Sequence, residues 1–519
     1  MKLLIQQGKI ECALKQCKQY CFEQPHDVQA WYILTDLYLR VKRITQALNS
    51  VLKAESLEPE QPQIQILKIQ CLLLNGHNAQ ALCSANTLLS TLPNLLAKDW
   101  LSLGMHFHQL NSLLSAHHCF ENSVKLEPNN SQYQFNYATS LRNTGKLSEA
   151  EQAFNQVITL NPRDWDAYLA RSLLKKVQLD GNNIAALNSL TTIDKNKEAQ
   201  SKLLFAISKE HEDCGNFDES FKTLKQANDL RHQFTQYDVN KDIEILREIA
   251  TTFNSRMAPR SCLTKTDKQK QAIFIIGLPR TGTTLLERIL SQPKDVLAAG
   301  ELNDFASCLT QLVTANAKQT VTSTSDFIKQ AARIDFAQLG QDYLNNTEEL
   351  TKNSSVFIDK MPMNFLYTGL IQQALPNAKI IHLTRSPMAA CYAIYKMSFG
   401  QAYPFSYNLN DLAKYYIAYR QLMKHWQQSN PNNFIEINYE ELVTSPAKVS
   451  KQTFDFAGLD WHEEYLQLEN NKQASATASS SQIRGGIYQS SVELWRNYHN
   501  ELAPLRQALE QANIDPVTW

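Results

Sequence analysis

The chain has 519 residues, too long for one ordinary domain, so two or three are expected. Lys plus Arg and Asp plus Glu both total 51, and the resulting zero net charge excludes a global basic field for nucleic acid or an anionic membrane. A hydrophobic content of 43% with 9% aromatics is that of a globular protein, and no uncharged apolar run approaches the length of a membrane span.

The N-terminus, Met1-Lys2-Leu3-Leu4-Ile5, runs straight into Gln6, Gln7 and Lys9 without the basic-then-apolar pattern of a secretory signal. Cys12, Cys17 and Cys21 lie about one helical turn apart and read as buried thiols on a helix face. No His, Cys and Asp cluster has metal-ligand spacing, so no metal is expected. Together these features predict a reducing, cytoplasmic setting.

The first half repeats. Pro25, Pro59, Pro93, Pro128 and Pro162 follow one another at intervals of 34, 34, 35 and 34 residues. Twelve residues before each lies an alanine: Ala13, Ala47, Ala81, Ala116 and Ala150. Phe120 and Phe154 recur eight residues before their prolines. Alanine lets the two helices of a hairpin approach closely, and proline ends the second helix. This pattern resembles the tetratricopeptide repeat. The clearest copy is 130–162, with Tyr133, Tyr137, Leu141, Gly145, Ala150, Phe154 and Pro162 in place. Residues 164–196 fit a degenerate repeat without its proline, 205–231 another helical pair, and a further helix runs through Ile243, Leu246, Ile249 and Phe253. Such a solenoid is expected to hold a peptide or protein segment in its concave groove.

Residues 256–270 lack periodicity and are rich in charge and breakers, which predicts a linker between a helical-repeat domain at 1–255 and a second domain at 271–519. From Gln271 onward short apolar strands alternate with helices, the signature of an α/β domain with a parallel sheet. The strands expected are 272–276, 356–359, 379–383 and 434–438. The first feeds Gly277-Leu278-Pro279-Arg280-Thr281-Gly282-Thr283-Thr284, and a helix opens at Thr283. A glycine loop meeting a helix N-terminus forms an anion cradle from backbone N–H groups and the helix dipole. The Gly277-to-Gly282 spacing is that of a Walker A loop, but Thr283 stands where that motif has lysine, which argues against an ATPase. The positive charge sits instead at Arg280, whose fork suits phosphate or sulfate.

In open α/β sheets ligands sit at the carboxyl ends of strands. Those ends carry Arg280, Lys360 in Asp359-Lys360-Met361-Pro362, Arg385 in Thr384-Arg385-Ser386-Pro387, and Tyr439; Glu301 is expected in a loop shortly beyond the helix that follows the first strand. Three cations and one carboxylate in a crevice suit transfer of an anionic group to a hydroxyl. This set, in this order, resembles the sulfotransferase family, and most of all its tyrosylprotein branch and bacterial proteins that join tetratricopeptide repeats to such a domain.

The resemblance implies the donor PAPS, 3′-phosphoadenosine 5′-phosphosulfate, with PAP as product. Pro279, Arg280, Thr281, Gly282, Thr283 and Thr284 match the loop that holds the 5′-phosphosulfate. Arg385 matches the arginine that grips the 3′-phosphate, Lys360 a lysine aimed at the sulfuryl group, and Glu301 the glutamate that takes the acceptor's proton. Residues 477–488 resemble a loop closing over the donor, with Ser479 and Arg484 as donor contacts, and Tyr439 and Trp495 as neighbours of the adenine. The family's serine eight residues after the 3′-phosphate arginine is here Ala393, and the basic residue before its tryptophan is here Leu494. The reading favoured is a PAPS-dependent sulfotransferase acting on a hydroxyl, peptide tyrosine first, with the repeats recruiting the acceptor. The alternative is a repeat scaffold whose α/β domain binds nucleotide without turnover.

Overall fold

The computed structural model describes residues 2–91, 94–193, 196–254, 270–317, 321–429, 431–468, 474–475, 487 and 489–519. Ser479 and Arg484 lie outside the described residues, as does Pro93. The chain forms two compact units, one of residues 1–133 with 342–352, the other of 134–341 with 353–519. No described helix is long and apolar enough to cross a membrane.

The first unit is an array of antiparallel helices. Ile10–Glu23, Ile44–Leu57 and Leu113–Leu126 each end two residues before a repeat proline, which cannot continue the backbone ladder. Ala13, Ala47, Ala81 and Ala116 are all within 1% of full burial, as expected where two helices cross closely. Partner helices start with conventional signals: Asp27 accepts from the Ala30 N–H at 3.0 Å, and Pro62 opens Pro62–Leu74. Cys17 and Cys21 are buried on the expected face and burial pushes the Cys21 thiol up to about 12, whereas Cys12 is exposed. The segment 342–352 completes this unit, with the Asn346 amide donating to the Gly76 carbonyl at 2.5 Å.

The second unit combines the later helices with a sheet. Leu147–Leu160 ends two residues before Pro162, with Ala150 fully buried. Thereafter the repeat shortens: Trp165–Ser172 has 8 residues where Leu147–Leu160 has 14. Lys197–Asp213, Phe217–Thr235 and Val239–Thr252 follow. Five parallel strands, β1 (Gln271–Ile276), β2 (Val296–Gly300), β3 (Val356–Asp359), β4 (Lys379–Thr384) and β5 (Phe434–Asn438), lie in the order β2-β3-β1-β4-β5. β1 is continuously apolar because helices cover both faces of a parallel sheet. The edge strand β2 was not expected. Its Val-Leu-Ala-Ala-Gly sequence has weak strand propensity and gives way to pairing with β3, so Glu301 directly follows a strand rather than trailing a helix.

Within this unit a largely buried carboxylate joins the helices to the α/β part. Glu212 accepts from Lys396 Nζ at 2.5 Å, from Tyr498 Oη at 3.0 Å and from Tyr392 Oη. Burial alone would raise its pKa, but Lys396 and the two hydroxyls hold it below the usual carboxylate range. Nearby, the Asn228 amide donates to the Tyr395 carbonyl at 3.1 Å and Arg231 Nε to the Gly400 carbonyl at 3.2 Å. Glu212→Ala strands Lys396 and two hydroxyls, so a loss of about 3 kcal/mol is expected. Thermal unfolding should show a clearly lower midpoint; an unchanged one would mean this cluster does not hold the layers together.

Candidate active site

The loop after β1 carries its strain at Arg280. Arg280 adopts φ +66°, a left-handed conformation that costs a non-glycine residue about 1–3 kcal/mol. Thr281 Oγ1 braces the turn on the Leu278 carbonyl at 2.8 Å. Gly282, at φ +100°, caps the helix Thr283–Leu290, and a Cβ there would stand 2.3 Å from the Tyr439 ring. Only glycine satisfies both conditions. Thr283 and Thr284 are buried in the first helical turn, where N–H groups lack intrahelical partners.

From β4, Arg385 reaches back to this loop. Its two terminal amino groups donate to the Arg280 carbonyl at 2.9 Å and the Ser491 carbonyl at 2.6 Å, and the guanidinium lies 4.9 Å from the Tyr439 ring centroid. Tyr439 Oη lies 3.1 Å from Ser491 Oγ. These groups line a cavity of about 410 Å³ together with Leu285, Ala389, Tyr392, Ala393 and Trp495. Its opposite wall comes from the helices: Leu173 to Lys176, Lys209, Glu212 and Asp213.

A second cluster forms at the ends of β2 and β3. The Lys360 N–H donates to the Gly300 carbonyl at 2.9 Å, and Lys360 Nζ donates to Glu301 Oε1 at 2.5 Å. The lysine side chain is fully buried and the glutamate 40% exposed, so the charge pair opens to solvent from its carboxylate side. Behind it, on Thr283–Leu290, stands Glu287. Burial pushes its carboxyl up to about 7 against the opposing influence of Lys360, and the nearby Glu301 charge adds to the rise. The Gly277 N–H bonds the Pro362 carbonyl at 3.2 Å, joining the β1 loop to the β3 loop.

Residues 272–463 match the family model described as "Sulfotransferase family", and residues 101–174 match a tetratricopeptide repeat model. Residues 272–463 form a sulfotransferase-family domain. Similar proteins include one from Aquifex aeolicus (strain VF5), 28% identical over 378 residues covering 72% of this chain and 49% of that protein. A putative protein-tyrosine sulfotransferase of Caenorhabditis briggsae is 24% identical over 246 residues, covering 45% of this chain and 83% of that protein. The chain spans about half the length of the first of these relatives. Among solved structures, the sulfotransferase domain of the Synechococcus olefin synthase aligns at 18% identity over 49% of this chain and 99% of that domain, with a TM-score of 0.34.

The sulfotransferase domain thus places the sequence-derived residues in two groups. Arg280, Gly282, Arg385, Tyr439 and Trp495 line one cavity; Glu301 and Lys360 form the charge pair and are not among that cavity's lining residues. Pro279, Thr281, Thr283 and Thr284 shape the loop and helix start rather than line the cavity. Sequence reasoning missed Glu287 and the helical wall. Glu287 follows Thr283 at the i+4 spacing, yet a lone glutamate in a helix reads as solvated; the degenerate repeat at 164–196 was the one sequence hint of the wall.

Because the fold disfavours ionised Glu287, the penalty is absent below the ordinary carboxylate range, grows as pH rises and is complete above about 7. Glu287→Gln removes it. Denaturant unfolding at pH 5 and pH 8 should find the variant gaining on wild type by about 2.5 kcal/mol between the two pH values. An equal difference at both would place Glu287 in a wetter site.

Proposed function

We propose that the chain transfers the sulfuryl group of PAPS to a hydroxyl acceptor, with peptide or protein tyrosine as the acceptor and the helical repeats as its recruiting surface. The observation that carries this reading is the Lys360–Glu301 pair at the strand ends, buried on the cation side and open on the carboxylate side.

The fit to the donor rests on the residues present. An Arg280 loop and a helix N-terminus suit an anionic phosphosulfate, and Tyr439 and Trp495 offer aromatic surface for a purine in a cavity of about 410 Å³. Arg385 borders the same cavity and would hold the 3′-phosphate. When bound, the donor supplies an activated sulfuryl group. Glu301 accepts the proton of the incoming hydroxyl at a carboxylate oxygen, raising its nucleophilicity. Lys360 and Arg280 offset negative charge that develops at the reacting centre, and their fixed positions avoid reorganisation at that moment. The short Lys360–Glu301 contact holds the carboxylate in place.

Transfer of radiolabel from PAPS to a tyrosine-containing peptide tests this. Glu301→Ala should lower kcat by about 10²–10⁴-fold, the usual contribution of a positioned base, while leaving PAP binding intact. Label transfer to saccharides but not peptides would reassign the acceptor. Tight PAP binding without transfer to any hydroxyl would favour the nucleotide-binding scaffold.

A further inference from the structure

We propose that Lys176, from the helical-repeat segment, is a donor-phosphate ligand that reaches the sulfotransferase cavity from its opposite wall. The proposal rests on the donor reading above and assigns the cavity's second anion contact, the 3′-phosphate of an adenosine bisphosphate, to this lysine as well as to Arg385.

Charge is the first argument. Six cationic side chains line the cavity against two carboxylates, Glu212 and Asp213. Three of the six are spent on ion pairs: Lys396 with Glu212 at 2.5 Å, Lys209 with Asp213 at 2.6 Å, and Lys175 with Glu151 at 2.7 Å. Arg385 directs both terminal amino groups at carbonyls. Lys176 has no ion pair or side-chain hydrogen bond among the described residues and is exposed. It therefore retains its full donor capacity for a ligand.

Preorganisation is the second. The helix Trp165–Ser172 stops early, and the chain that follows is pinned on both sides of Lys176. The Lys175 carbonyl accepts from Lys209 Nζ at 2.5 Å, and the Val177 N–H donates to Asp213 Oδ2 at 2.8 Å. The backbone at Lys176 is thus fixed on Lys197–Asp213 while its side chain is left unengaged. Ala389 and Ala393 also line the cavity and offer no side-chain donor to an anion. A bisphosphate in the cavity would find in Lys176 a cation from the helical side, in addition to Arg385.

Titration calorimetry on the full chain tests this with two probes: PAP, and 5′-AMP, which lacks the 3′-phosphate. Wild type, Lys176→Ala and Arg385→Ala are compared. Lys176→Ala should weaken PAP binding about tenfold, flatten its salt dependence, and change 5′-AMP binding less than twofold. Because Lys176 is exposed, its thermal midpoint without ligand should match wild type. If wild type prefers PAP to 5′-AMP and Lys176→Ala binds PAP as tightly as wild type, the assignment of Lys176 is overturned and the donor reading stands. Equal loss of both ligands would also overturn it, since a general cavity effect is not a 3′-phosphate contact. If wild type shows no preference for PAP, the donor reading falls and the assignment falls with it.

Discussion

A fully buried ammonium needs a partner, and that requirement organises the carboxyl end of the sheet. Lys360 emerges from β3 between β2 and β1 with no exposure to water. Glu301 answers it from the end of β2, so the edge strand, although weak in propensity, fixes the position of a charge. An isolated buried charge would cost several kcal/mol, which makes the register between β2 and β3 a condition of stability as well as of chemistry. Glu287 adds a second carboxyl behind the pair. Its pKa is raised chiefly by burial, with Lys360 opposing the rise and the Glu301 charge adding to it.

The loop after β1 obeys a different constraint, close backbone approach. Gly282 packs edge-on to Tyr439, which is itself buried at the start of the segment after β5. Arg385 then stitches the loop to Ser491 through two carbonyls while lying over the same ring. The cavity is therefore framed by β1, β4 and the C-terminal segment, while the charge pair is framed by β1, β2 and β3. Both meet at the helix Thr283–Leu290, which follows the glycine loop at its N-terminus and carries Glu287 one turn later.

The helices that close the cavity are the least regular of the repeats. In the first unit, strict spacing of alanine and proline gives near-identical hairpins with little reason to deviate. Beyond Ser172 the pattern loosens, and there helices acquire polar groups aimed at the sulfotransferase domain: Glu212, Asn228 and Arg231 all bond to groups between 392 and 400 or to Tyr498. A residue that must serve a neighbouring fold is no longer free to satisfy the repeat consensus. Decay of the repeat thus marks the place where solenoid packing yields to docking.

The sequence determined the repeats, four of the five strands, and the glycine loop that opens a helix at Thr283, because each rests on local rules: proline stops helices, alanine permits crossing, apolar runs form buried strands. It also supplied Arg280, Lys360, Arg385 and Glu301 as chemistry-bearing residues at strand ends. It did not disclose β2, whose alanines pair only because β3 lies beside them. Nor did it disclose Glu287, whose carboxyl is unusual only once buried beside Lys360 and Glu301. The helical wall of the cavity was equally silent, since Lys175 and Lys176 lie more than a hundred residues before Arg280. Burial, pKa and convergence across long sequence separations depend on neighbours that only the tertiary structure supplies.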